Sequence, residues 1–120
     1  MSIEAASQEP VSRATVMTAH LETPVVTDHV EVRRIRIQAN TAAGAHVHNG
    51  PVVGSIIEGS VIFQIAGGAE TVLRAGDTFF EPKDVRIERF DAQNDGATFL
   101  AYFPLEAGQH PELDFADPDA

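Results

Sequence analysis

No stretch of this chain keeps an apolar stripe at helical spacing for ten residues. Instead, short β-branched and aromatic runs alternate polar with apolar, as in VEVRRIRIQ and SVIFQIA. Turn chemistry cuts them apart at Glu58-Gly59, Gly67-Gly68, Ala75-Gly76-Asp77, Pro82-Lys83-Asp84 and Asn94-Asp95-Gly96. A chain so punctuated can bury an apolar face only by stacking or closing sheets. The expectation is therefore an all-β antiparallel sandwich or closed barrel. Its strands are expected at Arg13–Thr18, Val30–Gln38, Gly44–His48, Gly54–Glu58, Val61–Ala66, Glu70–Arg74, Asp77–Glu81, Ile87–Asp91 and Thr98–Pro104.

At 120 residues the chain holds one domain. Residues 1–12 are polar and aperiodic and read as a flexible arm, residues 13–108 as the barrel, and residues 109–120 as an acidic solvated tail. Eight Lys and Arg stand against 18 Asp and Glu, a formal net charge of −10, and no basic stripe exists to meet a phosphate backbone. Nucleic acid is therefore not the expected partner. No apolar run approaches the ~20 residues of a membrane span. The N-terminus lacks the basic start and apolar run of a secretory signal, so the expected compartment is cytoplasmic. Cysteine is absent, which removes disulfides, zinc–thiolate sites and thiol catalysis.

The chemistry concentrates between Gly44 and Phe90. His46 and His48 are two residues apart, so on a strand both imidazoles leave from one face. One divalent ion could meet both donors. Further along, Glu81 precedes Pro82 at a strand end. Pointing outward it is an ordinary solvated acid; pointing inward it could complete a ligand set. It could also serve as a proton donor, with a pKa raised by apolar walls. Arg89 and Asp91 share parity with Ile87, and Glu88 falls on the opposite face. These three charged residues read as a surface ladder or, turned inward, as an Arg–carboxylate pair. Gln64 alternates against Val61, Phe63 and Ile65 and reads as outward. His20, His29 and His110 are isolated in loops or rims. Ser55 has no nucleophile-elbow spacing, and Gly67-Gly68 is followed by no Lys or helix start, so neither a hydrolase nor a phosphate loop is supported. Phe63, Phe79, Phe80, Phe90, Phe99 and Phe103 read as core or cavity lining.

The segment containing His46, His48, Gly59, Gly76 and Pro82 resembles the cupin family. So do the linking VLRAGDTFFEP and the closing TFLAYF with LEAGQ. The resemblance covers roughly Arg13 to Gly108. It implies a double-stranded β-helix, a jelly-roll barrel, with a ligand cavity and a divalent metal ion (Zn, Fe, Mn, Ni or Co). It further implies lyase, isomerase or dioxygenase chemistry on a small organic metabolite, and a homodimer that pairs through its N-terminal strands. The chain departs from the family's usual three His and one Glu: the family's Glu falls at Val52 or Val53, and its third His at Ile87. Two neutral imidazoles without a carboxylate make a weak divalent site. His46, His48 and Glu81 are thus the candidate catalytic residues, and His46 and His48 the candidate metal ligands. The alternative is a barrel without metal that binds a small ligand as a sensor and turns nothing over.

Overall fold

The computed structural model describes residues 10–115. Seven strands form along it: β1 (His29–Ile37), β2 (His46–His48), β3 (Val52–Ile65), β4 (Thr71–Arg74), β5 (Thr78–Glu81), β6 (Arg86–Leu105) and β7 (Leu113–Phe115). There is no helix among the described residues. The pairing is antiparallel throughout, in the order β4-β3-β6-β2-β7, with β1 on β6 and β5 on β3. This all-β barrel is the architecture expected from the turn-punctuated pattern.

Two long strands organise it. β3 and β6 run side by side from Val53↔Tyr102 to Ile65↔Ile87 and change register at three places along the way. Such irregularities bend a strand and increase its twist, so one strand can serve two faces of a barrel. The sequence reading divides each of these strands in two. Glu58-Gly59 and Asn94-Asp95-Gly96 carry turn chemistry but sit in bends of continuous strands. Gly59 shows why. It has a φ of +77°, and a Cβ there would lie 1.9 Å from the carbonyl oxygen of Gly96 on the neighbouring strand. Only glycine permits both that backbone conformation and that approach. Beside it, the Ser60 hydroxyl donates to Asp95 Oδ1 at 2.8 Å and ties the two bends together.

The core lies between the layers. Phe79, Phe90 and Phe99 are buried, and their rings lie 4.8–5.8 Å apart in tilted or edge-on contacts, with Phe63 against two of them. Such geometries suit the ring quadrupoles and add to the apolar burial. Val61 and Ile87 are fully buried.

Two segments differ from expectation. Arg13–Thr18 forms no strand. Extended backbone becomes a strand only when a ladder partner takes its N–H and C=O groups, and the described chain offers this segment none. Conversely, Leu113–Phe115, read as part of a solvated tail, adds a strand to β2, with His46↔Phe115 and His48↔Leu113 in register. The Asn49 side chain clamps this return. Its Nδ2 donates to the His110 carbonyl at 3.0 Å, and its Oδ1 accepts from the Glu112 amide at 3.1 Å.

A buried His–Glu–His cluster at the candidate metal centre

β2 is only three residues long, and its alternation turns His46 and His48 inward while Val47 faces away. Both histidines are 6% exposed, and their rings meet edge-to-face with centroids 4.8 Å apart. The third member comes from β5. Glu81, at the strand's last position, is 4% exposed and projects into the barrel between them. Its Oε1 lies 2.6 Å from His48 Nε2 and 3.5 Å from His46 Nε2. Of the two orientations open to Glu81 in the sequence, the structure adopts the inward one.

Backbone geometry sets the histidine tautomer. Gly44 has a φ of +94°, and its carbonyl accepts a 2.7 Å hydrogen bond from His46 Nδ1. A carbonyl can only accept, so the proton sits on Nδ1 and the lone pair of a neutral His46 lies on Nε2, toward Glu81. The same bond orients metal-bound histidines.

The ionisation states follow from burial and contact. Burial by itself lowers the His46 pKa. The hydrogen bonds to Glu81 and to the Gly44 carbonyl, with the attraction of the Glu81 charge, outweigh it and hold the imidazole above its ordinary 6.5. For Glu81, burial pushes upward, but the hydrogen bonds from His46 and His48 and their charge attraction win, leaving the carboxyl below its ordinary 4.5. This corrects the expectation of a raised Glu81 pKa. The apolar walls are present, but two imidazoles contact the carboxylate directly and solvate it in place of water.

One of the two missing ligands has a cross-strand substitute. Val52, one of the two positions where the family pattern places its Glu, pairs directly with Glu81, and Val53, the other, pairs with Phe80. Ile87, where it places the third His, pairs directly with His46. Residues directly opposite in an antiparallel ladder share a face. The carboxylate therefore reaches the site from the adjacent strand rather than from β3.

The cluster forms the floor of a cavity of about 320 Å³. Val52, Phe79, Phe90, Phe99 and Phe103 wall it, and Leu113 and Phe115 of β7 stand at its side. The ring centroid of Phe115 is 6.3 Å from that of His46. β7 and the β1 residues Arg33, Ile35 and Ile37 are cavity residues the sequence reading did not assign. The signal for β1 was present, since Glu31, Arg33, Ile35 and Ile37 alternate along one face. For β7 there was none, because a three-residue strand carries no period.

Other candidates lie elsewhere. Arg89 pairs with Asp91 at 2.6 Å and with Glu70 at 2.7 Å on the surface, and Glu88 pairs with Arg86. The shared parity with Ile87 fails because the ladder slips between Gln64↔Arg89 and Ile65↔Ile87. One extra residue reverses the alternation, so Ile87 and Phe90 are both buried. Gln64 donates to the Gly68 carbonyl at 2.9 Å and braces the hairpin. His29 meets Asp28 at the surface. Among the described residues, His46, His48 and Glu81 are the one group of three or more His, Asp or Glu placed to hold an ion.

The donor set fits a metal. The ligand atoms lie within 4.8 Å of one another, and the His–Glu contacts are shorter. Ligands at about 2.0–2.2 Å from one ion stand roughly 3–3.5 Å apart, so small side-chain rotations suffice. Two imidazoles and one carboxylate with remaining positions open are the ligand set of catalytic zinc sites and of non-haem iron oxygenases.

Comparisons with known proteins agree with this architecture. No curated protein sequence matches the chain. Among solved structures, an oxalate oxidase in complex with the substrate analogue glycolate superposes with a TM-score of 0.61 at 22% identity. That match covers 72% of this chain and 45% of the oxidase, so this chain spans less than half of that protein. Salicylate 1,2-dioxygenase from Pseudaminobacter salicylatoxidans gives 0.61 at 20% identity, covering 72% of this chain and 25% of the enzyme. An RmlC-like cupin from Shewanella frigidimarina gives 0.56 at 23% identity, covering 66% and 68%. Identities this low speak to fold alone. The family model for the cupin domain, however, matches residues 33–101, more than half of the chain and every strand from β2 to β5, and on that match this chain belongs to the cupin family.

Proposed function

We propose that this cupin binds one divalent transition-metal ion through His46, His48 and Glu81, and acts on a small organic metabolite held in the cavity above it. The observation that carries the reading is the convergence of three buried ligand atoms, two neutral-capable and one anionic, on one point of a cavity walled largely by apolar side chains. When bound, such an ion supplies a Lewis acid or, as iron, an open-sided centre of the oxygenase type. The chain's own contributions are specific. The Gly44 carbonyl holds His46 in the tautomer that presents Nε2. Glu81 brings the negative charge that two imidazoles lack. The phenylalanine walls exclude water and strengthen every charge interaction at the floor. A cavity of about 320 Å³ suits a ligand of metabolite size. The solved relatives include an oxidase and a dioxygenase, so the fold leaves the reaction open.

A second reading rests on the 2.6 Å contact between His48 Nε2 and Glu81 Oε1. That hydrogen bond needs a proton rather than an ion between the two atoms. The cluster would then be a metal-free acid–base group, or the polar floor of a non-catalytic binding site. Elemental analysis of protein purified without chelator or histidine tag separates the two. Close to one equivalent of a transition metal, lost in His46→Ala, supports the metal centre. Metal-free parent protein that also takes up no added Co, Ni, Zn or Mn rules it out.

We also propose a homodimer. β1 pairs only with β6 among the described residues, and Val30 and Val32 on it, with Val16 and Val26 before it, are exposed. A second copy would cover these residues and the open edge of β1. Among the described residues no helix is long and apolar enough to cross a membrane.

A further inference from the structure

The inward row of β1 changes character along its length. Ile37 and Ile35 line the cavity as apolar wall, and then Arg33 lines it as a cation. Among the described residues it is the only Lys or Arg that does so. The guanidinium carbon stands 5.4 Å from the centroid of the Phe103 ring, and that ring's centroid stands 6.3 Å from the His48 ring's. Phe103 is 7% exposed and fixed in the core, so it is a rigid platform on which the guanidinium rests by cation–π attraction. Arg33 Nε donates to Glu31, and the two Nη groups have no partner among the described residues. A guanidinium presents its donors as a planar fork, the shape that meets a carboxylate in two parallel bonds. Glu112 also lines the cavity, and an acid there disfavours an anion close to it.

Arg33 is half-exposed and the cluster is buried; Phe103 lies against both, and Ile35 and Phe99 add further apolar lining. The cavity therefore presents a cation on its exposed side and a His–Glu–His group in its buried part, with hydrocarbon side chains making up most of the remaining lining. We propose that the ligand is an organic acid whose carboxylate is held by Arg33 on the exposed side, while its uncharged part lies along the wall toward His46, His48 and Glu81. Arg33 is then the specificity residue that separates acids from neutral molecules of the same shape. The inference rests on the reading of this cavity as the functional site. It adds the substrate class. A surface ion pair with Glu31 and nothing more is the competing account of Arg33, and exposed pairs of that kind contribute little to stability.

The test is a panel of matched probes, each acid against its own amide: benzoate, cyclohexanecarboxylate and butanoate with benzamide, cyclohexanecarboxamide and butanamide. Binding is followed by amide chemical-shift titration in parent, Arg33→Gln and Arg33→Lys proteins, and Zn(II) affinity of each is measured by calorimetry. In the parent, at least one acid should bind roughly tenfold or more tighter than its amide, as expected for a charged hydrogen-bonded pair. Arg33→Gln should erase that preference and Arg33→Lys should keep part of it, with Zn(II) affinity unchanged in both. An acid preference that survives intact in Arg33→Gln overturns the proposal, as does a panel in which no acid outbinds its amide. Parent protein that binds no Zn(II) but loses its acid preference in Arg33→Gln supports the carboxylate grip and sinks the metal reading alone.

Discussion

Glu81 Oε1 sits 2.6 Å from His48 Nε2, joining the last residue of β5 to the last residue of β2 inside the barrel. Thirty-three positions separate them in the chain. Because the same oxygen also faces His46 Nε2 at 3.5 Å, one carboxylate serves two imidazoles, and the behaviour of the site turns on it.

Glu81→Gln keeps the shape of the side chain and removes its charge. Metal affinity of the variant should fall by at least the ~10–100-fold that disturbing even the outer partners of a metal site costs. Calorimetric titration with Ni or Co measures it. An affinity equal to the parent's would place the ion elsewhere. Glu81→Gln should also fold, since the amide can still hydrogen-bond one imidazole.

The same group gives chelator-treated protein a pH window. Glu81 is held below its ordinary 4.5, so its stabilising contribution is complete above that value and is lost as pH falls through the lowered pKa. His46 is held above its ordinary 6.5, so its contribution is complete below that value and is lost as pH rises through the raised pKa. The two overlap between about pH 4.5 and 6.5, where both partners are charged in the folded state. Thermal melts across pH 3–9 should show the parent's advantage over Glu81→Gln widest in that window. An advantage that keeps growing above pH 8 would contradict the assignment.

Ile87 is fully buried and pairs with His46, so Ile87→His should set a third imidazole beside the cluster and tighten Ni or Co binding by about tenfold or more. Val52→Glu should do the reverse of what the family pattern suggests. It pairs with Glu81, so the change would put two carboxylates side by side in a buried site, where like charges disfavour ionisation of both. Metal-free Val52→Glu should melt below the parent, and metal-free Ile87→His should lose about 1–3 kcal/mol for a polar group buried without a partner. Identical metal affinities for parent and Ile87→His would show that Ile87 does not face the site.

The open edge of β1 predicts self-association. Light scattering should give about twice the 12.9 kDa chain mass at working concentration. Placing charge on the exposed face, as in Val30→Lys with Val32→Lys, should shift the protein toward monomer. A mass near the 12.9 kDa of one chain for the parent at every concentration would exclude the dimer.

What the sequence by itself determined is what depends on local period. Alternation of two and frequent turn residues dictated an all-β antiparallel sandwich or barrel, and the i, i+2 spacing of His46 and His48 put both imidazoles on one face. Gly59, Gly76 and Pro82 in their spacing marked the cupin frame. Tertiary structure decided the rest, for a physical reason: register between strands is a non-local choice, and one extra residue in a ladder reverses every side chain beyond it. Thus Glu88, Arg89 and Asp91 could be placed only once the slip opposite Gln64 and Ile65 was known. Turn chemistry at Glu58-Gly59 and Asn94-Asp95-Gly96 was indistinguishable from a bend, because glycine serves both. The return of Leu113–Phe115 onto β2 left no trace in a three-residue pattern. Glu81 itself had two orientations open, the solvated one the commoner for a strand end, and only the pairing of β5 with β3, which sets it opposite Val52, turned it toward the histidines.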